Sequence, residues 1–336
     1  MRRNWPRRAR SPPTTAPAEP VRVLLTGSSG WLGRHLAPLL ARAGHEVTGF
    51  DVAPGEHTRI VASVADRGAV ERAFADIRPQ AVIHAGALHK PDIARYPRQA
   101  FIDVNVTGTL NLLEAAVAGG CDRFLFTSTT SLMISHAIRE GRGGEAAWID
   151  ETLAPLLPRN IYGVSKLAAE RLCRLVHEEQ RLPVLILRTG RFFPEEDDTH
   201  RDLSGENMKA NELLHRRLTV EDAAEAHLVA LQRAPELGFD TFILSAPTPF
   251  ARGDAAELRR DAPAVIARHH PDALELYARR GWRLPETIDR VYDASHAERR
   301  LGWRARTDFA AVLDALRSGE SSPVLHDAAY ISPKER

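Results

Sequence analysis

The sequence predicts an α/β fold, a doubly wound parallel sheet with a small interleaved C-terminal lobe. From Val21 onward, short apolar runs alternate with stretches of amphipathic helical spacing, which is typical of a parallel sheet covered by helices on both faces. Glycines cluster in the turn between the first apolar run and the first helical stretch. The 336 residues, 43% of them hydrophobic, suffice for one large domain or two modest ones.

The elements of the sheet follow one another along the first half of the chain. The first run is apolar at Val21, Val23, Leu24 and Leu25, as expected for a strand that is buried on both faces. Helical spacing and apolar runs then continue to alternate. Strands are predicted at 21–26, 46–51, 59–61, 81–84, 124–127 and 184–187. Helices are predicted at 31–43, 66–77, 100–118 and 161–180.

The alternation loosens beyond Arg188. An acidic and polar stretch at 194–206 precedes a predicted helix at 220–233 and an extended segment at 239–245. We therefore expect residues 191–317 to form the small lobe, interleaved with the sheet.

The two ends of the chain are predicted to be tails. Residues 1–20 are rich in arginine and proline and have little to bury, which predicts a disordered basic tail, and 318–336 is predicted to be weakly ordered. The net charge is +1, so a tail with five arginines leaves the remaining residues slightly acidic. A nucleic-acid-binding domain normally carries a basic face, and we therefore expect no nucleic-acid partner.

Three further expectations follow from composition. No run of about 18 apolar residues occurs, so no membrane span is expected. Cys121 and Cys173 cannot build a disulfide framework, which favours a cytoplasmic location. The histidines and cysteines show no metal-ligand spacing, so no metal is expected.

The glycine-rich turn predicts a dinucleotide site on a Rossmann-type sheet. Gly27 permits a tight turn, Gly30 lets the backbone approach a pyrophosphate, and Gly33 allows close packing of helix and strand. The following helix offers its unpaired N–H groups to the phosphates. Asp51 ends the second strand, where a carboxylate accepts hydrogen bonds from a ribose diol and repels a 2′-phosphate, so NAD is favoured over NADP. The alternative is that Asp51 merely caps a loop.

Tyr162 and Lys166 are four residues apart in a predicted helix and so share one face. A phenol titrates near pH 10, and a neighbouring ammonium lowers that pKa, which would make the tyrosine a general acid and base. Hydroxyls at Ser128 and Thr129 follow a buried strand, at the edge where doubly wound sheets bind ligands. The alternative is a turn that uses hydroxyls for local backbone bonding.

Together these blocks resemble the extended short-chain dehydrogenase/reductase family, in its NAD-dependent epimerase/dehydratase branch. The resemblance runs from about residue 21 to about residue 316. It includes TGSSGWLG at 26–33, VIHAGA at 82–87, NVTGTLNLLEAA at 105–116, FLFTSTTS at 124–131, YGVSK at 162–166, LTVEDAAEAHLVAL at 218–231 and VYDASHAERRLGW at 291–303. It implies an NAD-binding domain at 21–190 and a substrate lobe at 191–317.

The resemblance also implies roles for individual residues. Thr129, Tyr162 and Lys166 would be the catalytic residues, with Ser128 as a substrate contact and the fallback for Thr129. Cofactor contacts are implied at Gly27, Gly30, Trp31, Leu32, Gly33, Asp51, Val64, Ala85, Gly86, Ala87, Asn105, Tyr162 and Lys166.

The chain departs from the family pattern in the substrate region. Arg191 replaces an asparagine that contacts substrate in many sugar epimerases, and Ser63 stands where the family often has an aspartate. An arginine at this place is suited to clamp a carboxylate or phosphate, which makes Arg191 a candidate substrate residue. The alternative is a salt bridge to an acidic residue in 195–198. A shortened segment at 194–220 further favours a small, anionic substrate.

The expected activity is NAD-dependent hydride transfer at a hydroxyl or ketone of a sugar or nucleotide sugar. One alternative is a sugar-acid (uronate-type) or aldose dehydrogenase that releases NADH, and another is a non-catalytic NAD(H)-sensing protein on the same fold. The resemblance also implies a homodimer through the helices at 100–118 and 161–180, although helices with wide apolar faces are more often buried within their own domain.

Overall fold

The computed structural model describes residues 20–194, 203–320 and 323–324, so residues 1–19 and most of the predicted tail at 318–336 lie outside the described residues. The strands are β1 Arg22–Thr26, β2 Glu46–Asp51, β3 Thr58–Val61, β4 Ala81–His84, β5 Arg123–Thr129, β6 Ala147–Ile149, β7 Val184–Thr189, β8 Phe239–Leu244 and β9 Arg290–Tyr292. The helices are α1 Trp31–Arg42, α2 Arg67–Ile77, α3 Arg98–Phe101, α4 Gly108–Ala118, α5 His136–Arg139, α6 Ile161–Gln180, α7 Gly205–Leu213, α8 Val220–Leu237, α9 Ala255–Leu258, α10 Ala262–His269, α11 Ala273–Arg279 and α12 Phe309–Ser318.

The central sheet confirms the predicted fold class. Seven parallel strands follow the order β3-β2-β1-β4-β5-β7-β8. After β3 the chain returns to the middle of the sheet and places β4 on the other side of β1. This reversal of the strand order creates a crevice at the carboxyl ends of β1 and β4. Every residue of β4 and β7 is buried, as continuous apolar runs in a parallel sheet require.

Helices cover both faces of this sheet. One face packs against α1 and α8, and the other against α2, α4 and α6. Leu36 and Leu40 of α1 are fully buried, and each such leucine contributes about 1.5–3 kcal/mol relative to an exposed position.

Two helices differ in how closely they follow the sequence prediction. α6 has the predicted bounds, because the Asn160 side chain caps its first turn and Arg181 ends it in a left-handed conformation. The helix predicted at 100–118 begins earlier, at α3, and reaches α4 through a π-helical turn at Ile102–Thr107.

The C-terminal lobe shares the central sheet. β8 lies within the predicted lobe yet extends the sheet beside β7, so the two parts are interleaved. The lobe has its own core, to which α10, α11 and α12 contribute, and its β9 pairs in parallel with β6. The sequence pattern predicted neither β6 nor β9, because three residues are too few to show a period.

Candidate active site

A cavity of about 1050 Å³ opens at the carboxyl ends of β1, β4, β5 and β7. This is the place at which doubly wound sheets bind ligands. Most of the predicted cofactor contacts line it: Gly27, Gly30, Trp31, Leu32, Gly33, Asp51, Val64, Ala85, Gly86, Ala87, Tyr162 and Lys166.

Two glycines of the loop have no room for a side chain. Gly27 has a φ of +76°, and a Cβ there would lie 2.6 Å from the Gly86 nitrogen. A Cβ on Gly33 would lie 2.1 Å from the Gly27 carbonyl oxygen. The backbone of β1, the loop and α1 therefore packs together only with glycine at these positions.

The start of α1 is open to the cavity. Gly30 is its N-cap residue and supplies no side-chain hydrogen bond, whereas Asp66, Asn160 and Thr219 cap α2, α6 and α8. The first N–H groups of α1 therefore keep their hydrogen-bonding capacity and the positive end of the helix dipole. This cradle fits the pyrophosphate of a dinucleotide.

Asp51 both lines the cavity and braces its loop. Its carboxylate oxygens accept hydrogen bonds from the backbone N–H groups of Ser29 and Ala53, each at 3.0 Å. The loop-capping alternative therefore describes part of its role. Carboxylate oxygens accept more than one hydrogen bond, so ribose hydroxyls remain possible partners.

Asn105 does not line the cavity but holds the loop that does. Its side-chain amide forms two 2.8 Å hydrogen bonds with the backbone of Leu88 and donates a third to the Ser165 hydroxyl. Asn105 lies in the π-helical turn and is almost fully buried. It therefore joins the loop after β4 to α6, and the cofactor contact implied for it stays a prediction.

The three predicted catalytic residues meet in this cavity. Thr129 lies close enough to Tyr162 to influence the pKa of its hydroxyl, and the Thr129 oxygen accepts a hydrogen bond from the Ser131 N–H at 3.1 Å. The Lys166 ammonium donates to the Thr127 carbonyl oxygen at 2.6 Å and lies 3.9 Å from the centre of the Phe126 ring.

The pKa values correct one expectation. Burial raises the pKa of Tyr162 to about 12, the neighbouring Thr129 hydroxyl acts in the opposite direction, and Asp92 adds to the increase. The predicted lowering by Lys166 is not seen, because its ammonium is directed at Thr127 and Phe126. Burial in turn lowers the pKa of Lys166 to about 7.

We expect the stability of the protein to depend on pH through Lys166. Between pH 7 and 10 the unfolded chain keeps a proton that the folded chain releases, because the pKa of Lys166 falls from 10.5 to about 7 on folding. The free energy of unfolding should rise with pH by up to about 1.4 kcal/mol per unit relative to Lys166→Met. Urea unfolding without NAD measures this, with the exposed Lys90→Met as the control. Parallel pH curves for wild type and Lys166→Met would contradict it.

Ser128 lines the cavity, but its hydroxyl is engaged elsewhere. The hydroxyl donates to a carboxylate oxygen of Glu170 at 2.6 Å, and Arg188 donates to both oxygens of the same carboxylate, at 3.0 and 2.7 Å. All three residues are buried. This buried network favours Thr129, which lies beside Tyr162, over Ser128 as the catalytic hydroxyl, and the substrate contact of Ser128 stays a prediction.

Arg191 lines the cavity beside a buried cluster of charges. Glu212, at the end of α7, accepts from Arg216 at 2.7 Å and from Arg217 at 2.6 Å. Burial raises the pKa of Glu212, but Arg216, Arg217 and Arg191 outweigh it and hold the pKa well below the ordinary value. Glu212 is thus a counter-ion that the sequence did not suggest. The partners considered for Arg191 at 195–198 lie outside the described residues.

Sequence reasoning missed several other residues of the cavity wall. Arg139, Arg159, Arg216, Glu212 and Arg290 all line it. They belong to segments without a recognisable motif, so no signal in the sequence pointed to them. Over the described residues, no group of histidine, cysteine or acidic side chains could hold a metal ion.

The fold and the open glycine cradle define a nicotinamide-dinucleotide-binding protein of the doubly wound class. The sequence model of the NAD dependent epimerase/dehydratase family matches residues 23–241. The chain belongs to this family, which confirms that it is an enzyme of the extended short-chain type that uses NAD.

Similar proteins include both epimerases and dehydrogenases. A UDP-glucose 4-epimerase of Streptomyces lividans is 27% identical over 343 residues, which cover 91% of this chain and 98% of the relative. An L-arabinose 1-dehydrogenase (NAD(P)(+)) of Haloferax volcanii is 32% identical over 177 residues, 51% of this chain and 66% of the relative. The chain spans less than half the length of two further curated relatives, 45% and 48% respectively.

A solved structure agrees with the fold. The UDP-glucose 4-epimerase of Thermus thermophilus in complex with NAD has a TM-score of 0.57 and 21% identity, covering 88% of this chain and 99% of that one. In the described part of the chain, no helix combines the length and apolar character needed to cross a membrane.

Proposed function

We propose that the enzyme transfers a hydride between NAD and a carbinol carbon of an anionic, sugar-like substrate, with Thr129, Tyr162 and Lys166 as the catalytic residues. The observation that carries the proposal is that Thr129, Tyr162 and Lys166 line one cavity together with the glycine cradle. A proton-transferring group and a cofactor site in one cavity are what hydride transfer at an alcohol requires.

The three residues have different tasks in this proposal. Bound NAD supplies the redox chemistry by accepting or returning the hydride. Tyr162 takes up or releases the hydroxyl proton of the substrate at its Oη, and Thr129 hydrogen-bonds to the same substrate oxygen. Lys166 binds the nicotinamide ribose with its ammonium, which lies in the same cavity.

The charges of the cavity wall support an anionic substrate. Six arginines line the cavity, whereas its acidic lining residues are Glu212 and Asp51. Asp51 lies at the glycine loop, away from the arginine-rich wall, where it binds the Ser29 N–H. Arginine presents paired N–H groups that match a carboxylate or a phosphate. We propose that Arg191 and Arg216 contact the anionic group of the substrate.

Two reaction types fit this site. The similarity to the Streptomyces epimerase over nearly its whole length supports epimerisation of a nucleotide sugar, in which NAD is regenerated within one turnover. The arginine-rich wall and the Haloferax dehydrogenase support a sugar-acid or aldose dehydrogenase that releases NADH.

Nicotinamide content and turnover together test the proposal. Freshly purified protein is denatured, and the released NAD and NADH are quantified. We expect either near-stoichiometric cofactor with epimerisation of nucleotide sugars, or little bound cofactor with NADH formation from sugar acids and sugar phosphates. Neutral sugars are the control and should react more slowly, because they leave the arginines unpaired.

One outcome would contradict the proposal. A protein that binds NAD yet shows neither epimerisation nor NADH formation across this panel would favour the NAD(H)-sensing alternative. The cytoplasmic location and the homodimer stay predictions.

A further inference from the structure

A chain of three hydroxyl groups joins the glycine loop to the start of β3 and the turn before it. Ser28 and Ser29 of the loop are almost fully buried, and their hydroxyls form hydrogen bonds with the Thr58 hydroxyl at 2.6 and 2.7 Å. The Ser29 hydroxyl also donates to the Ala53 carbonyl oxygen at 2.7 Å. These four residues are not among the described residues that line the cavity, so they act on a ligand through residues that do.

The direction of each hydrogen bond in this hydroxyl chain follows from the acceptor at its end. A carbonyl oxygen only accepts, so the single proton of the Ser29 hydroxyl is used on Ala53. The Ser29 oxygen therefore accepts from Thr58, and the Thr58 oxygen accepts from Ser28. The links from Thr58 to Ser29 and from Ser29 to Ala53 thus do not require the Ser28 hydroxyl.

The hydroxyl chain ends on the two residues that hold the Asp51 carboxylate. The backbone N–H groups of Ser29 and Ala53 donate to its two oxygens, each at 3.0 Å. The Ser29 hydroxyl ties these same two residues together, and the fit is close, because a Cβ on Gly55 would lie 2.5 Å from the Ser29 Oγ. The orientation of Asp51, which lines the cavity, is therefore set by hydrogen bonds that Thr58 helps to keep in place.

The orientation of this carboxylate bears on the choice between two cofactors. A carboxylate that faces the cavity accepts hydrogen bonds from the ribose diol of NAD and repels the 2′-phosphate of NADP. If the carboxylate turns away, the ribose loses an acceptor and the 2′-phosphate loses a repulsion. Because selectivity is the difference between two binding free energies, it depends on how firmly the carboxylate is held.

We propose that Thr58 is a positioning residue of the cofactor site, whose hydroxyl holds Ser29 against Ala53 and thereby keeps Asp51 in the orientation that selects NAD over NADP. Without this hydroxyl, the Ser29 oxygen loses a donor and the Ser28 hydroxyl loses its acceptor. This role concerns cofactor binding alone, so it holds whichever substrate and reaction type the enzyme has.

Titration with NADH and with NADPH tests this role, on full-length protein freed of co-purified nicotinamide by charcoal treatment. We expect Thr58→Val, which keeps the shape of the side chain, to weaken NADH binding by about fivefold or more, because a loosened Asp51 must be ordered again when NADH binds. NADPH binding should weaken by less than about twofold, since a loosened carboxylate repels the 2′-phosphate less. Thr58→Ser restores the hydroxyl and should keep both affinities within about twofold of wild type.

Two serine variants provide a matched pair. Ser29→Ala breaks the hydroxyl chain next to Asp51 and should lower the preference for NADH as Thr58→Val does, so an unstable threonine variant does not prevent the test. Ser28→Ala removes a similarly buried hydroxyl from the same loop but leaves the links from Thr58 onward intact. It should change the preference for NADH by less than about twofold. Thermal unfolding checks that each variant is folded.

Two outcomes would overturn this role. Folded Thr58→Val and Ser29→Ala that bind both nucleotides like wild type would show that the hydroxyl chain does not position Asp51. An equal loss of affinity for NADH and NADPH would mean that Thr58 supports the glycine loop without selecting the cofactor.

Discussion

Tyr162→Phe is expected to reduce turnover by about 10²–10⁴-fold, the usual contribution of a positioned general acid or base. The substitution removes the only atom with which this side chain can exchange a proton and keeps the ring. NAD affinity should stay within about twofold of wild type, because the glycine cradle and Asp51 are untouched. Steady-state kinetics and NAD titration on the same preparation measure both quantities.

The chain offers a matched control for this substitution. Tyr277 is fully buried in the core of the lobe, does not line the cavity, and its hydroxyl has no hydrogen-bond partner. Tyr277→Phe should leave turnover unchanged and cost no stability, since no hydrogen bond is lost. If Tyr162→Phe keeps turnover within about threefold of wild type, the assignment of the proton-transferring residue is wrong.

Substitution of the two neighbouring hydroxyls, Thr129 and Ser128, tests which of them takes part in catalysis. We expect Thr129→Val to lower turnover by about tenfold or more, because Thr129 lies beside Tyr162 and favours its ionised form. Ser128→Ala should have little effect on turnover, since its hydroxyl is bound to Glu170. The opposite ranking would return the catalytic role to Ser128.

The case of Ser128 and Thr129 shows how far the sequence predicts the site. The predicted strand ended at residue 127, which left the direction of the following side chains undecided. In the structure β5 continues to Thr129. The Ser128 hydroxyl donates to Glu170 in the middle of α6, whereas Thr129 lies beside Tyr162 at the start of the same helix. The sequence could not separate the two candidates, because it does not show where along α6 each of them lies.

Long periodic elements and the glycine loop were predictable because their signals are local. α6 has its predicted bounds, and Gly27 and Gly33 occupy positions that have no room for a side chain. The arginine-rich wall was not predictable in this way. Arg139, Arg159 and Arg290 are far apart in sequence and converge only because β6 and β9 pair and hold the lobe against the cavity. Such convergence leaves no periodic trace in the sequence.

Glu212→Gln is expected to lower the free energy of unfolding by about 3–5 kcal/mol, the cost of breaking a buried ion pair from one side. Glu212 is 2% exposed and Arg217 is 1% exposed. The carboxylate accepts from Arg216 with one oxygen and from Arg217 with the other. A glutamine places an NH₂ donor against one of these guanidinium donors and leaves the positive charges of both arginines buried without a counter-ion.

Urea unfolding of Glu212→Gln and of Glu275→Gln compares the same substitution in two environments. Glu275 also pairs with an arginine four residues later, but that pair is exposed, so its loss should cost only about 0–1 kcal/mol. The pKa of Glu212 is lowered on folding, so its contribution is present at neutral pH and fades as the pH falls below the ordinary 4.5. The difference between wild type and Glu212→Gln should therefore shrink in acid. Equal losses for the two variants would mean that the buried cluster is solvated, and Glu212 would then not be what holds Arg216 at the cavity wall.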